Sequence, residues 1–174
     1  EEKRRLECEL STAREIMGHI LPEKVEGARG YEVSVAYEPC TEVGGDLYDV
    51  RHLDDGRSVI LAGDVAGKGL GAAILVSSIV PTAQVLLGDG RDLVEAVRIL
   101  NRRIWASTDA VRYATLFIGL LDRAIGRLEY VNAGHNAPLV IEPDGGSREL
   151  GATGIPVGMV EEAPFSSASV SPNA

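Results

Sequence analysis

Gly44-Gly45-Asp46-Leu47-Tyr48-Asp49-Val50-Arg51-His52-Leu53-Asp54-Asp55-Gly56-Arg57-Ser58-Val59-Ile60-Leu61-Ala62-Gly63-Asp64 reads as two strands, 46–53 and 58–63, folded about a tight turn. A three-residue loop at 54–56 with Gly56 in the left-handed conformation is a common hairpin connection. It pairs Leu53 with Arg57, and counting outward in that register sets Asp46 opposite Asp64. Opposed residues share a face, with Cβ atoms roughly 5 Å apart. Two bare carboxylates that close repel each other and raise a pKa. A shared divalent cation removes the conflict, and Asp oxygens suit Mg²⁺ or Mn²⁺. The flanking glycines let backbone carbonyls approach such an ion with no Cβ in the way. The inference depends on register: a two-residue Asp-Gly turn would send the acids to opposite faces. Asp64 would then be a helix cap and Asp46 a turn residue.

Outward from this hairpin, Tyr31, Val33, Val35 and Tyr37 alternate with Glu32, Ser34 and Ala36, the pattern of a strand with one buried face. A helix is expected from about Leu70 to Leu87, kinked or split at Pro81. A second runs roughly from Asp92 to Trp105, with Leu93, Val97, Leu100 and Ile104 on one face. Strands follow at 113–121, 127–132 and 138–142, with turns at Ala124-Ile125-Gly126 and Pro143-Asp144-Gly145-Gly146. Residues 163–174, rich in Ser, Ala and Pro, are expected to form a poorly ordered tail. A β hairpin, two helices and more antiparallel β argue for an α+β layered domain rather than a βαβ sheet.

Residues 1–21 are charged and helix-prone, with Leu6, Leu10, Ala13, Met17 and Ile20 spaced as a short heptad seam before Pro22. The plainer reading is an amphipathic helix packed on its own domain. The sharper one is a dimerising linker from an upstream sensor domain.

The 17 basic and 26 acidic side chains leave a net charge of −9, which repels phosphate backbones and argues against nucleic-acid binding. Cys8 and Cys40 belong to no CxxC pair and read as reduced thiols. No signal-peptide pattern is visible, and apolar runs such as Ala72 to Val76 are far too short to span a membrane, so a cytoplasmic protein is expected. Gly67-Lys68-Gly69 fails the GxxxxGK[ST] spacing of a P-loop and GxGxxG is absent, which discounts a nucleotide-binding regulator.

Three segments occur in order: Glu42-Val43-Gly44-Gly45-Asp46-Leu47-Tyr48-Asp49-Val50, Gly63-Asp64-Val65-Ala66-Gly67-Lys68-Gly69, and Tyr130-Val131-Asn132-Ala133-Gly134-His135-Asn136-Ala137-Pro138. With Ala13-Arg14-Glu15-Ile16, Leu21-Pro22, Tyr37-Glu38-Pro39, Thr115-Leu116-Phe117 and Gly154-Ile155-Pro156-Val157-Gly158, the chain resembles bacterial type 2C metal-dependent serine/threonine protein phosphatases. The resemblance is to the stage II sporulation protein E type, which includes regulators of stress sigma factors. It implies an α-β-β-α sandwich of two antiparallel sheets flanked by helices, with its C-terminal part missing here. Residues 1–22 would be a linker helix and 23–174 the phosphatase domain. By the same resemblance, Asp46 and Asp64 ligate two Mn²⁺ or Mg²⁺ ions with the Val65 carbonyl as a further ligand. A metal-activated water would hydrolyse phosphoserine or phosphothreonine on a small regulatory protein of the anti-sigma-factor antagonist type.

Leu47 stands where relatives usually carry Phe, a tolerable change of volume. The family's third metal-binding Asp, expected after about 165–174, does not occur in this sequence. That departure keeps a second reading open, a pseudophosphatase or scaffold binding the same partner without turnover. His135 reads as a structural hydrogen-bonding residue at a strand end, Lys68 as a solvated lysine and Asp122 as a turn residue. Asp49 is a candidate for a hydrogen bond to metal-bound water.

Overall fold

In the computed structural model of the chain, residues 2–22, 31–38, 43–108 and 112–171 are described, with 2–10 as backbone only. The expected hairpin forms β1 (Asp46–His52) and β2 (Arg57–Val65). Gly56 has φ 88°, and the loop closes through Leu53 N–H to the Arg57 carbonyl at 2.9 Å and Gly56 N–H to the Leu53 carbonyl at 3.0 Å. Asp55 reinforces the closure by accepting from the Arg57 backbone N–H and from its Nε, at 3.0 and 2.8 Å. Those bonds favour the ionised carboxylate and hold Asp55 below its ordinary pKa.

Helices α2 (Leu70–Gly88) and α3 (Leu93–Ser107) follow. Asp92 caps α3 by accepting from the Glu95 N–H at 3.1 Å. α2 runs on through Pro81 and is not split there. It is also long and apolar enough, by length and composition, to cross a membrane, which the short-run reading overlooked. In this fold its Ala72, Leu75, Val76, Ile79, Val80, Ala83 and Leu87 are instead buried within the domain. The chain continues as β3 (Ala114–Asp122), β4 (Arg127–Ala133), β5 (Leu139–Ile141), β6 (Ser147–Glu149) and β7 (Ala168–Val170). Asp122 serves its turn by accepting from the Ala124 N–H at 2.9 Å.

The strands form an antiparallel five-stranded sheet in the order β1-β2-β3-β4-β7 and a two-stranded ribbon of β5 and β6. The pleat divides the side chains between two cores. Leu47, Val59, Leu61, Leu116, Ile118, Leu120 and Val131 join a core shared with the helices. Phe117, Leu121, Leu128, Tyr130, Leu150 and Val170 form a second core, against which Val140 of β5 packs. Among the described residues the second sheet of the expected sandwich is this ribbon alone.

α1 (Glu2–Ile20) ends two residues before Pro22. Met17 is buried, and Ala13 and Ile20 pack against the helical core, so this half of the seam serves its own domain. Leu6 and Leu10 lie where only the backbone is described, Cys8 with them, and Cys40 lies outside the described residues.

Two expectations are corrected. Residues 31–38 form no strand: Val35 and Tyr37 are 43% and 37% exposed, although Tyr31 packs against the second core. Their alternation is the right period, but a strand exists only when a neighbouring edge hydrogen-bonds it. The expected loose tail is also wrong over 163–171. Ala163, Phe165 and Val170 are buried, and β7 pairs with β4 in the register Leu128↔Val170. Ser-rich composition hid three well-placed apolar anchors.

Phe165 fills the space over Gly154, where a Cβ would come within 2.4 Å of its ring. Phe165→Ala is therefore expected to cost about 3–5 kcal/mol by urea unfolding, the range for a buried Phe truncated in a core. A loss below about 0.5 kcal/mol, as for an ordinary surface change, would restore the loose-tail reading.

Candidate metal centre

Asp46 stands opposite Asp64 in the β1–β2 ladder, as the three-residue turn requires. Asp64 in turn stands opposite Thr115 of β3. These residues occupy one face at one end of the sheet, while Leu47 and Gly63 turn toward the helical core. Gly45 makes the gathering possible: a Cβ there would lie 2.6 Å from the Val65 carbonyl oxygen and 3.0 Å from Asp64 Oδ1. Any other residue would have to push these oxygens aside. The Val65 N–H also donates to the Gly45 carbonyl at 3.0 Å, pinning the two segments together.

The electrostatics follow from this crowding. Burial raises the Asp64 carboxyl above its ordinary pKa, the charge of Asp46 raises it further, and His135 works in the opposite direction. Burial lowers the His135 imidazole, opposed by the charges of Asp64 and Asp46. Tyr37 is raised by burial and then by Asp46 and Tyr48, against Arg14. Tyr37 and Tyr48 also meet ring to ring, with centroids 5.5 Å apart.

His135 is held by its surroundings rather than by chance. Its backbone N–H donates to Asn132 Oδ1 at 2.8 Å, and Asn132 Nδ2 donates to the Leu150 carbonyl at 3.0 Å. Gly134, at φ 70°, makes the turn with Pro156 packed against it. The imidazole Nδ1 lies 2.9 Å from Thr115 Oγ1, which is 3.4 Å from the Asp64 carbonyl oxygen. The expected structural role is there, and with it a place beside both acids. Thr115 was missed as a contributor. Its signal was available in the register, since Thr115 is the β3 neighbour of Asp64.

Asp49 is a correction. It lies on the other face, buried, where it accepts from Gln84 Nε2 of α2 at 3.1 Å and meets Arg51 Nε at 3.2 Å. Three positions from Asp46, an odd step along the strand, it faces the helical core. Lys68 is exposed, as expected of a solvated lysine.

Two carboxylates and a peptide carbonyl make a hard oxygen donor set that suits Mg²⁺ or Mn²⁺. Among the described residues no third His, Cys, Asp or Glu joins them closely enough to hold an ion. The residues present fit part of a divalent-cation site.

A raised acid pKa means that the native state binds more protons than the unfolded chain, so Asp64 lowers stability as pH rises from about its ordinary value of 3.8. At neutral pH with chelator, Asp64→Asn should therefore raise the Tm, by about 1–2 °C for a surface-scale repulsion in a chain this size. Added Mn²⁺ should raise the Tm of the unaltered chain and leave the variant unmoved. Equal Mn²⁺ shifts in both would remove Asp64 from any ion site.

The sequence matches the family described as Stage II sporulation protein E (SpoIIE) over residues 54–173. The phosphoserine phosphatase RsbP of Bacillus subtilis is 32% identical over 94% of this chain and 41% of its own length. The structure of the RsbU and RsbW domains of Rv1364c from Mycobacterium tuberculosis shares 32% identity and a TM-score of 0.63, covering 74% of this chain and 36% of that one. The SiaA-PP2C domain of Pseudomonas aeruginosa aligns over 99% of this chain and 69% of its own, with TM-score 0.75 at 20% identity, a likeness of fold. The chain spans between 29% and 47% of the length of the curated relatives it matches. With more than half of its residues inside the family match and the same fold in its structural neighbours, this chain belongs to the SpoIIE family of type 2C phosphatase domains.

Proposed function

We propose that this chain is the catalytic domain of a metal-dependent protein serine/threonine phosphatase acting on a small phosphorylated regulatory protein of the anti-sigma-factor antagonist type. The observation that carries the reading is the opposed pair Asp46 and Asp64 beside the Val65 carbonyl. These three would hold Mn²⁺ or Mg²⁺, two ions by family resemblance. Such ions supply an acidified water and offset charge on phosphoryl oxygens, so no side-chain nucleophile is required. The protein's own share is positional. The β1–β2 ladder keeps the carboxylates at fixed separation, Gly45 lets the oxygens converge, and Asn132 and Thr115 fix His135 beside them.

The relatives support this reading: RsbP carries the name phosphoserine phosphatase. Residues 1–22 would be the linker helix to an upstream sensor domain, and 23–174 the phosphatase domain. Self-association through that helix could use Ile16, which is 56% exposed beside the buried Met17. The net charge of −9 disfavours phosphate backbones and anionic membrane surfaces, and a cytoplasmic location is part of the same proposal.

In the natural full-length protein, Mn²⁺ should switch on hydrolysis of p-nitrophenyl phosphate and of a phosphoserine peptide. Removing a hydrogen-bonding neighbour of a metal ligand costs 10–100-fold, so Asp64→Asn, which removes a ligand itself, should cost at least about 100-fold. Turnover retained by that variant contradicts the assignment. Mn²⁺ binding by calorimetry without turnover would point to the scaffold reading.

A further inference from the structure

The opposed positions Asp46, Asp64 and Thr115 continue, through a side-chain contact, to His135: one row crosses β1, β2, β3 and the turn after β4. Gly134 bridges to Leu116 beside it, so the turn is fastened to β3 by backbone as well. His135 therefore reaches the row from the side opposite Asp46.

The imidazole offers two nitrogens, and the fold has used one of them. Thr115 Oγ1 lies 2.9 Å from Nδ1 and 3.4 Å from the Asp64 carbonyl oxygen, so the contact to the imidazole is the shorter and stronger of the two. A hydroxyl has a single proton to give. Placed on the shorter contact, that proton makes Nδ1 an acceptor and leaves Nε2–H as the remaining donor. The turn itself does not need the ring, because Asn132 holds residue 135 by its backbone amide. Two side chains, Thr115 and Asn132, and a glycine turn thus hold one imidazole at the end of the row that carries the carboxylate pair.

We infer that His135 is a substrate-contacting residue, its Nε2–H donating to an oxygen of the phosphomonoester, and that Thr115 is the positioning residue that fixes its tautomer. This rests on the phosphatase reading above. A neutral donor is suited to that place, since it attracts phosphoryl oxygens without competing for the cation.

The test uses the full-length protein with Mn²⁺ and a phosphoserine peptide. His135→Ala should lower kcat/KM about 10- to 100-fold, the size of one hydrogen bond to a charged group. Its Mn²⁺ affinity by calorimetry should stay within about twofold, which separates lost transition-state contact from lost ion binding. Thr115→Val should lose most of the same factor, and Thr115→Ser should restore it. Unchanged kcat/KM in His135→Ala overturns the inference, as does Mn²⁺ affinity falling in step with activity. An unaltered protein inactive with Mn²⁺ sinks the phosphatase reading instead. The inference is then judged by the imidazole ¹H–¹⁵N spectrum: an Nε2–H tautomer that Thr115→Val disturbs sustains the positioning role, and a spectrum indifferent to that change overturns it.

Discussion

A β-ribbon sends alternate side chains to opposite faces, so the loop at 54–56 decides the fate of every residue on β1 relative to β2. With three loop residues and Gly56 at positive φ, Leu53 meets Arg57 and the parity is set. Asp46 and Asp64 then share a face, and Leu47 and Leu61 share the other. One residue fewer in the loop would bury a carboxylate against the helices and present a leucine to the site. The apolar core and the acidic pair therefore support each other: burying Leu47, Val59 and Leu61 under the helices is what keeps the ladder from slipping.

The cost of that arrangement is local. Two acids held together in a partly desolvated place oppose one another, which raises Asp64. Gly45 gives up a side chain so that the Val65 carbonyl and Asp64 Oδ1 can pack closely beside the pair. Such concentrations of unfavourable terms are found where a ligand is meant to relieve them. The rest of the domain contributes rigidity: two cores, one on each face of a five-stranded sheet, with Asn132 and Asn101 tying loops to the frame. Asn101 does so through Gly158, Val160 and Glu161.

The hairpin, both helices of the middle region and β3 to β5 were legible because each is written in short-range terms. A turn glycine, an Asp cap before an amphipathic face and two-residue alternation need no distant partner. The errors came where distant partners decide. Residues 31–38 have strand periodicity without strand pairing, while 168–170 pair with β4 from within a Ser-rich stretch. Asp49 looked available by sequence and proved to be a buried partner of Gln84, 35 positions away. Thr115 carried no chemical signal of its own. Only the β2–β3 register brings it to Asp64 and His135.

Soaking crystals with Mn²⁺ and collecting at the manganese absorption edge tests the central geometry most directly. The account predicts an anomalous peak within about 2.0–2.2 Å of carboxylate oxygens from both Asp46 and Asp64, as hard-cation coordination requires. A saturated crystal with no peak between them, or with the two carboxylates on opposite faces of the sheet, would contradict it.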